Sequence, residues 1–383
     1  MLEKVTFKNF KSFTEETTIS LLPTKSEILK NTNISNKTLK GCAFYGSNAS
    51  GKTNALNAVT LLLDLLFSNG IGDLISTITL FNKERTMSFE YAFSEDNDKI
   101  IYSFEIDREG KIVKEKLRLN NKDILTRISD SADTCLTEKG QYTGNEISQS
   151  SLFLRTVIFN ANLSNYPSLV KWINYLRNSI YLNPSRTFGK IITFDNSPFK
   201  VDLNTYLEKN GEKEINGFFE EFNFPYRISY EKNKPNTPTL VPFINRLKIT
   251  RNSLASIPFY MESFGNQTLL YVLPSFLSVI KTGGILAIDE FSSGLHNKLE
   301  ELLIRFFMEK SSEAQLLFVS HSTNLLRTDL LRPDQIYSTD LDEKGSFIRR
   351  FSDENPRETQ NLEKMYLAGV FGGIPLYEEK AKN

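Results

Sequence analysis

The stretch Gly46-Ser-Asn-Ala-Ser-Gly51-Lys52-Thr53 is the most informative part of this chain of 383 residues. It matches the pattern G-x-x-x-x-G-K-[ST], in which glycines let the backbone curl around phosphate groups. A short apolar run, Gly41-Cys-Ala-Phe-Tyr45, precedes the pattern, and apolar residues at helical spacing follow it over residues 53–68. A strand, a glycine-containing turn and a helix in this order predict a phosphate-binding loop (P-loop), and a chance match would have no reason to show that order.

The residue types of the loop indicate which groups would bind. We expect its backbone N–H groups and the N-terminus of the following helix to bind the phosphates of ATP. Lys52 is expected to reach the β- and γ-phosphates, and Thr53 is expected to bind Mg²⁺. The predicted nucleotide-binding residues of this segment are Gly46, Ser47, Asn48, Ala49, Ser50, Gly51, Lys52, Thr53 and Asn54.

A second motif ends an apolar strand far downstream. Gly284-Ile-Leu-Ala-Ile-Asp289-Glu290 places two acids directly after the strand, which is the Walker B pattern. We expect Asp289 to bind Mg²⁺ together with Thr53, and Glu290 to polarise the water that attacks the γ-phosphate. A strand followed by ordinary surface acids would look the same, so the P-loop upstream is what favours the catalytic interpretation.

The chain has two histidines, and both fall near these motifs. His321 follows the apolar run Gln315–Ser320, where a histidine would meet the γ-phosphate, and we predict that it is catalytic. His296 ends Ser292-Ser-Gly-Leu-His, shortly after the two acids. For His296 the sequence leaves a structural and a functional role equally open.

A further candidate segment is Glu262-Ser-Phe-Gly-Asn-Gln267, which precedes an apolar helix. Ser and Gly at the start of a helix can donate O–H and N–H to a phosphate, so Ser263 and Gly265 are candidate nucleotide-binding residues. The same segment could be an ordinary helix start, with Ser263 as the N-cap. Only its position in the order of motifs supports the phosphate-binding role.

Hydrophobic patterning predicts an α/β fold. Apolar runs at 284–288 and 315–319 alternate with helical patterns at 267–281 and 297–310, which indicates a mostly parallel sheet covered on both faces. Strand-like alternation elsewhere predicts an antiparallel β subdomain. Its predicted strands lie within residues 2–10, 17–21, 88–93, 100–106 and 112–117.

Polar segments suggest where the chain divides. Residues 127–150 are predicted to be a mobile loop or a domain boundary, residues 231–242 a second linker, and residues 24–40 a loop. We predict an N-terminal part of an ATPase domain at 1–126, an inserted lobe of mixed and helical structure at 127–244, and the C-terminal part of the ATPase domain at 245–383.

Composition argues against several classes of protein. Lys plus Arg number 46 and Asp plus Glu number 46, so the chain has none of the charge excess of a nucleic-acid coat protein. Cys42 and Cys135 form no CxxC pair, which disfavours structural zinc and a disulfide scaffold. The N-terminus lacks the apolar run of a signal peptide, and no apolar stretch reaches the ~18 residues of a membrane span. We expect a cytoplasmic protein without a membrane partner.

The order of these motifs resembles that of the ABC-type ATPases. The opening Val5-Thr-Phe-Lys-Asn-Phe-Lys-Ser-Phe13 looks like the first strands of the RecF/SMC branch, and also of prokaryotic "AAA family ATPase" proteins of abortive-infection and other phage-defence systems. Three segments near the end, Asn324–Leu326, Leu331–Ile336 and Tyr366–Pro375, are similar to the C-terminal region of those defence ATPases. The resemblance therefore implies a P-loop ATPase head that uses ATP and Mg²⁺.

The same resemblance implies a homodimer in which two chains bind head to tail and enclose two ATP molecules. Ser263 and Gly265 of one chain would contact the γ-phosphate that the P-loop of the other chain holds. Phe264 departs from this pattern, because the strict form of the family has glycine there. The interval between the P-loop and Ser263 is long for a transporter subunit and lacks the heptads of a coiled coil, so we expect a compact insertion.

Three functions are compatible with these observations. The tail resemblance favours a sensor or regulatory ATPase of a phage-defence system, and the few residues after His321 favour a separate effector protein, a nuclease or a toxin. The first alternative is a RecF-like repair ATPase that binds DNA, with Arg246, Lys248 and Arg251 as candidate phosphate contacts, although a solvated basic face is the interpretation we prefer for these three. The second alternative is a regulatory scaffold that binds ATP with little turnover.

Overall fold

The computed structural model describes residues 1–68, 74–79, 81, 86–185, 190–193, 202–232, 246–252 and 254–374. Its strands are β1 (Leu2–Lys8), β2 (Thr17–Ser20), β3 (Ile34–Ser35), β4 (Thr38–Leu39), β5 (Gly41–Gly46), β6 (Thr86–Glu95), β7 (Asp98–Asp107), β8 (Ile112–Leu119), β9 (Lys122–Ile128), β10 (Ser131–Thr134), β11 (Gln141–Thr143), β12 (Ile180–Asn183), β13 (Lys190–Thr193), β14 (Tyr226–Tyr230), β15 (Leu247–Arg251), β16 (Ile257–Pro258), β17 (Gly284–Ile288), β18 (Ala314–Val319), β19 (Ile336–Asp342) and β20 (Gly345–Arg350). Its α-helices are α1 (Lys30–Asn33), α2 (Lys52–Phe67), α3 (Phe153–Asn160), α4 (Pro167–Arg177), α5 (Leu203–Asn210), α6 (Lys213–Glu221), α7 (Phe264–Thr282), α8 (Asn297–Lys310) and α9 (Leu362–Leu367).

The central sheet has the strand order β13-β12-β17-β18-β5-β19-β20. Its five inner strands are parallel, and the edge strands β13 and β20 pair antiparallel with their neighbours. The predicted runs at 284–288 and 315–319 are β17 and β18, so the prediction of a mostly parallel sheet is confirmed. Because neighbouring inner strands are parallel, the segments that follow β5, β17 and β18 meet at one edge of the sheet.

Both faces of this sheet are covered, which explains why its strands read as continuous apolar runs. In β5, Cys42 and Phe44 belong to one hydrophobic core, and Ala43 and Tyr45 belong to the other. Helix α2 contributes to the first core, and helices α7 and α8 contribute to the second. The three helices lie within a few residues of the ranges that the apolar spacing predicts.

An eight-stranded antiparallel sheet, in the order β11-β10-β9-β8-β7-β6-β1-β2, lies on the α2 side. Strands β6 and β7 form a hairpin through Asp96 and Asn97, which both have a positive φ as tight hairpin turns require. The predicted antiparallel subdomain is therefore confirmed, and each of its five predicted runs falls on a strand of this sheet.

The loop predicted over residues 127–150 was wrong in part, because β10 and β11 extend the antiparallel sheet there. Burial alternates along β10, so that Ala132 and Thr134 are buried between exposed polar neighbours. Arg127 of β9 holds the segment in place. It is buried, and its guanidinium donates to the backbone oxygens of Ser129, Ser148 and Ser151 at 2.8–2.9 Å. Polar composition thus reflects the last two strands at one end of the sheet here rather than an unstructured boundary.

The segment predicted as an inserted lobe is divided among several parts of the fold. The boundary predicted at 126/127 lies inside β9, and β12 pairs in parallel with β17 in the central sheet. Helix α4, predicted from Leu169, Trp172, Ile173 and Leu176, joins the first core. Helices α5 and α6 and the small sheet β14-β15-β16 join the second core.

Two polar segments have different outcomes. The loop predicted over residues 24–40 is wrong in part, because this segment contains helix α1 and the two-stranded β3–β4 hairpin. Elements this short are not stable alone, and here α1 contacts α8 and β4 contacts β1. The second predicted linker, residues 231–242, lies outside the described residues except for its first two positions.

A buried glutamine links the two sheets. Gln315 of β18 donates from Nε2 to the carbonyl oxygens of Leu2 (2.9 Å) and Leu39 (2.8 Å). Its Oε1 accepts hydrogen bonds from the backbone N–H of Leu2 (2.8 Å) and the hydroxyl of Tyr175 (2.5 Å). All of its hydrogen-bonding atoms are therefore used, and strands β18, β1 and β4 and helix α4 meet at this side chain.

Candidate functional site

The P-loop connects β5 to α2, as the sequence predicts. Gly46 (φ 150°), Ala49 (φ 62°) and Gly51 (φ 113°) have positive φ values, so the loop takes a backbone path that most residues rarely adopt. A Cβ on Gly51 would lie 2.6 Å from the Ser346 hydroxyl oxygen, which leaves no space for a side chain there. Helix α2 begins at Lys52 directly after this glycine.

Lys52 folds back over the loop that precedes it. Its Nζ donates to the carbonyl oxygens of Gly46 (2.9 Å) and Ser47 (2.7 Å). Burial lowers the pKa of Lys52, and the nearby charges of Asp289 and Glu290 act against that shift. The ammonium group therefore lies inside the loop and within electrostatic range of both acids that follow β17.

Thr53 and Asp289 meet across the site. The Thr53 hydroxyl donates to Asp289 Oδ1 at 3.0 Å, although the two residues are far apart in the sequence. Asp289 is buried directly after β17. A hydroxyl and a carboxylate are oxygen ligands of the kind that Mg²⁺ prefers, so the donor set fits this ion.

Sequence reasoning missed the residues that hold the second oxygen of Asp289. Oδ2 accepts hydrogen bonds from Asn183 Nδ2 (3.2 Å) and from the Tyr181 hydroxyl (3.4 Å), both on β12. The short run Ile180-Tyr-Leu-Asn183 has the form of a buried strand that ends in a polar residue. That signal is present in the sequence, but only the pairing of β12 with β17 places it beside Asp289.

Glu290 adopts an unusual backbone conformation. Its φ is 55°, in the left-handed region that residues other than glycine rarely occupy. Residues in such conformations are concentrated at functional sites. Ser293 supports the turn, because its N–H donates to the Glu290 carbonyl (3.0 Å) and its hydroxyl donates to Glu290 Oε2 (3.4 Å). The turn places the Glu290 charge near Lys52 and His321.

His321 lies just after β18, beside the turn that carries Glu290. Its backbone N–H donates to the Ser292 hydroxyl at 3.4 Å. Burial lowers the pKa of His321, the Lys52 charge lowers it further, and the charges of Glu290 and Asp289 raise it. The P-loop, the two acids and this histidine are therefore brought together, as the sequence predicts, while their individual roles in catalysis stay predictions.

Ser263 and Gly265 lie at the start of α7. Ser263 is the N-cap, and its hydroxyl accepts a hydrogen bond from Asn266 N at 3.4 Å. Among the hydrogen bonds of the described residues, none joins Ser263 or Gly265 to the P-loop of the same chain. Phe264 is exposed, and its ring occupies the space that a Cβ on Gly294 would need, at 2.4 Å.

Comparison with known protein families gives a match over residues 42–327, which is more than half of the chain. The matching family is an AAA-domain family whose description names the AbiEii toxin and a type IV toxin–antitoxin system. The chain belongs to this family. The matched region contains the P-loop, Asp289, Glu290 and His321, so this AAA domain is an SMC-like ATPase fold whose family is compatible with ATP binding.

Solved structures show the same fold in SMC heads. The AAA domain is similar to the SMC head domain from Thermotoga maritima, with a TM-score of 0.52 and 15% identity over 91% of this chain and 98% of that chain. It is also similar to an SMC head bound to the C-terminal winged-helix domain of ScpA, with a TM-score of 0.53 and 15% identity over 91% and 97%. A third is the SMC head with an extended coiled coil bound to the C-terminal domain of ScpA, derived from Pyrococcus furiosus, with a TM-score of 0.52 and 13% identity over 96% and 98%. No curated protein sequence matches the chain.

His296 has a structural role in this AAA domain. It is the N-cap of α8, and its Nδ1 accepts a hydrogen bond from the backbone N–H of Lys298 at 3.2 Å. An imidazole that accepts at Nδ1 satisfies one of the free N–H groups at the start of a helix.

The basic cluster Arg246, Lys248 and Arg251 is not the solvated face that we expected from the sequence. Arg246 is buried, and its guanidinium donates to Glu208 (2.6 Å) and Tyr230 (2.8 Å). The guanidinium of Arg251 forms an ion pair at 2.5 Å with Glu262, the residue before Ser263. Of the three, only Lys248 is exposed. Because each arginine pairs with a carboxylate, the cluster offers little positive surface to a DNA backbone.

None of the helices in the described ranges combines the length and the apolar character that a bilayer crossing requires.

Proposed function

We propose that this AAA domain binds ATP with Mg²⁺, hydrolyses it, and closes head to tail with a second copy around the nucleotide. The observation that carries the proposal is the 3.0 Å contact between the Thr53 hydroxyl and Asp289, next to a lysine that already lies inside the P-loop. The tertiary fold makes this contact, since 235 residues lie between the two positions in the chain.

Binding of ATP would change the partners of Lys52. Its Nζ would exchange the carbonyl oxygens of Gly46 and Ser47 for the β- and γ-phosphate oxygens. Mg²⁺ held by Thr53 and Asp289 would supply charge neutralisation to those phosphates. Asn183 and Tyr181 would keep Asp289 oriented while this occurs, since hydrogen-bond partners of a metal-binding carboxylate fix its position.

Hydrolysis requires a group that orients water, and we assign this role to Glu290. Its unusual backbone conformation is maintained by Ser293, which favours one position of the carboxylate. We assign to His321 the donation of a ring N–H to the γ-phosphate; burial and the Lys52 charge lower the pKa of this histidine, and the charges of Glu290 and Asp289 act against that shift.

Dimer formation is supported by the surface around Ser263. Four apolar side chains near it in the sequence are 54–67% exposed, namely Leu254, Tyr260, Met261 and Phe264. A patch of this kind next to a candidate phosphate contact is suited to burial against another chain. ATP would then favour the closed dimer because it binds both halves, and hydrolysis would remove that preference.

For the biological role, we propose the sensor or regulatory ATPase of a phage-defence module that acts with a separate effector protein. The family description, which names the AbiEii toxin and a type IV toxin–antitoxin system, and the tail resemblance both support this proposal. Two of the similar SMC heads are bound to domains of ScpA, which supports the idea that such a head can bind a separate protein.

The test is the substitution Glu290→Gln, which keeps the shape of the side chain and removes its charge. We expect the hydrolysis rate to fall by about 100-fold or more, while ATP binding is retained and a dimer accumulates in ATP. Steady-state phosphate release and size-exclusion chromatography with light scattering provide the two measurements. Glu343→Gln, at an exposed turn position, is the matched control.

Three outcomes would separate the functions. An unchanged rate in the Glu290→Gln variant would remove this residue from its assigned role. A wild-type chain that binds ATP and does not turn it over would be a regulatory scaffold. Hydrolysis that DNA stimulates, with binding that weakens steeply in salt, would instead favour the repair ATPase.

A further inference from the structure

The C-terminal segment Asn361–Ile374, which we call the C-terminal clasp, packs on the strands that lead into the P-loop. Tyr366 of α9 lies edge-on to Tyr45, with ring centroids 6.0 Å apart, and Tyr45 immediately precedes Gly46. Phe371 stacks on Phe351 with ring centroids 3.8 Å apart and planes within 11°. These aromatic contacts attach the clasp firmly to the hydrophobic core next to the nucleotide site.

One end of the clasp touches the first glycine of the P-loop. A Cβ on Gly373 would lie 3.3 Å from the Cα of Gly46 and 3.1 Å from the Cβ of Ser338, so a side chain could fit only by moving its neighbours. Gly373 is held in place on both sides: its N–H donates to Asp340 Oδ2 (2.8 Å), and its carbonyl accepts from the Tyr366 hydroxyl (3.0 Å). Gly46 therefore has the clasp directly behind it.

The other end of the clasp reaches the segment after His321. Glu363, in the first turn of α9, accepts a hydrogen bond from the Thr323 hydroxyl at 2.7 Å. Thr323 begins the short turn Thr323–Leu325, two residues after His321. The clasp thus contacts the P-loop and the His321 segment with two ends of one short stretch of chain.

We propose that the C-terminal clasp is a positioning element of the ATP site, with Gly373 fixing Gly46 and Glu363 fixing the His321 segment through Thr323. The inference rests on the proposed ATPase function. Phosphate binding by backbone N–H groups and transfer chemistry both depend on geometry held within a fraction of an ångström. A displaced Gly46 would weaken ATP binding, and a displaced His321 segment would slow hydrolysis.

Gly373→Ala and Gly369→Ala form a matched pair for the first contact. Gly373 (φ 75°) and Gly369 (φ 82°) both have a left-handed backbone, so alanine strains the two positions alike. A Cβ on Gly369 has no neighbour within 4 Å, whereas a Cβ on Gly373 presses on Gly46 and Ser338. We expect Gly373→Ala to bind a fluorescent ATP analogue about tenfold more weakly than Gly369→Ala at a similar melting temperature.

Thr323→Val and Thr323→Ser test the second contact and do not depend on whether Gly373→Ala folds. Valine keeps the shape of threonine without the hydroxyl, and serine keeps the hydroxyl that donates to Glu363. We expect Thr323→Val to lower kcat about fivefold, Thr323→Ser to retain the wild-type kcat, and both variants to bind the ATP analogue within about twofold of wild type.

The outcomes are separable. A wild-type chain that binds no ATP analogue would overturn the proposed function and the clasp with it. If wild type binds, equal affinities of folded Gly373→Ala and Gly369→Ala would overturn the contact to Gly46. Equal kcat values for Thr323→Val and Thr323→Ser would overturn the contact to the His321 segment.

Discussion

At the scale of single residues, Glu300 is an ionisable group near the site that the proposed chemistry does not use. It is buried in the first turn of α8, and its Oε1 accepts a hydrogen bond from the Ser322 hydroxyl at 3.0 Å. Within the described part of the chain, its Oε2 has no hydrogen-bond partner. Burial raises the pKa of Glu300 from 4.5 to about 7, and the Ser322 hydrogen bond acts against this shift.

This raised pKa predicts how Glu300→Gln changes the pH dependence of stability. The folded chain holds a proton on Glu300 that the unfolded chain loses above pH 4.5, so this contribution is complete below pH 4.5 and is lost as the pH rises through about 7. Glutamine has no such proton. From pH 5.5 to 8.5, the difference between the unfolding free energy of the variant and that of wild type should therefore rise by about 2 kcal/mol in favour of the variant.

Urea denaturation of both proteins at the two pH values measures this difference. Glu309→Gln, at an exposed position near the end of the same helix, controls for the loss of a negative charge. A wild-type-to-variant difference that stays constant across this pH range would show that Glu300 carries no proton in the folded chain.

At the scale of elements, buried polar side chains link the two sheets: Gln315 of β18 is one, and Tyr337 of β19, whose hydroxyl bonds to the backbone of Ser20 on β2, is another. Four buried hydrogen bonds meet at Gln315, from β1, β4 and α4 to β18. The segment that connects β1 to β2 of the antiparallel sheet contains Ser12, whose hydroxyl accepts a hydrogen bond from Asn54 Nδ2 at 2.8 Å beside the P-loop. The link between the sheets therefore also fixes the position of one wall of the nucleotide site.

We expect Gln315→Leu to destabilise the chain by about 3 kcal/mol, because it leaves several buried N–H, O–H and C=O groups without partners. Chemical denaturation monitored by circular dichroism measures the effect. Gln149→Leu, at an exposed position, should change the unfolding free energy by less than about 0.5 kcal/mol. Equal stabilities of the two variants would mean that the hydrogen bonds of Gln315 contribute little to the link between the sheets.

At the scale of the whole molecule, the proposed head-to-tail dimer requires a surface that one copy leaves uncovered. Met261 is 60% exposed, two residues before Ser263, and Tyr260 and Phe264 near it in the sequence are also exposed. These three exposed side chains, which we treat as one patch, lie within three residues of Ser263 in the sequence and therefore near the candidate γ-phosphate contact. In the dimer, a charge on this patch would be buried without a partner.

We therefore expect Met261→Glu, in a Glu290→Gln background, to abolish the ATP-induced dimer while the monomer still binds nucleotide. Light scattering with and without ATP gives the oligomeric state, and a fluorescent analogue gives the binding. Ile128→Glu is the control, because Ile128 is 70% exposed on β9 of the antiparallel sheet. A dimer that persists in Met261→Glu and disappears in Ile128→Glu would place the interface on the other face.

Much of the fold was predictable because its signals are local. The P-loop depends on glycines at two positions of one turn, and the strands β5, β17 and β18 are apolar along their whole length because both faces are covered. Residues that lie close in sequence determine these features, and the structure has them at or near the predicted positions. Strands β10 and β11, the last two at one end of the antiparallel sheet, were missed because their exposed polar residues resemble a loop.

The sequence by itself determined the kind of site: a P-loop, two acids after a buried strand and a histidine after the next one. Tertiary structure decided the contacts among distant residues, namely Asn183 on Asp289, Arg246 against Glu208, and Gly373 behind Gly46. The reason is physical. Backbone conformation at a glycine or along an apolar strand is set by neighbouring residues, whereas a contact between distant residues exists only after the strands and helices that carry them have packed together.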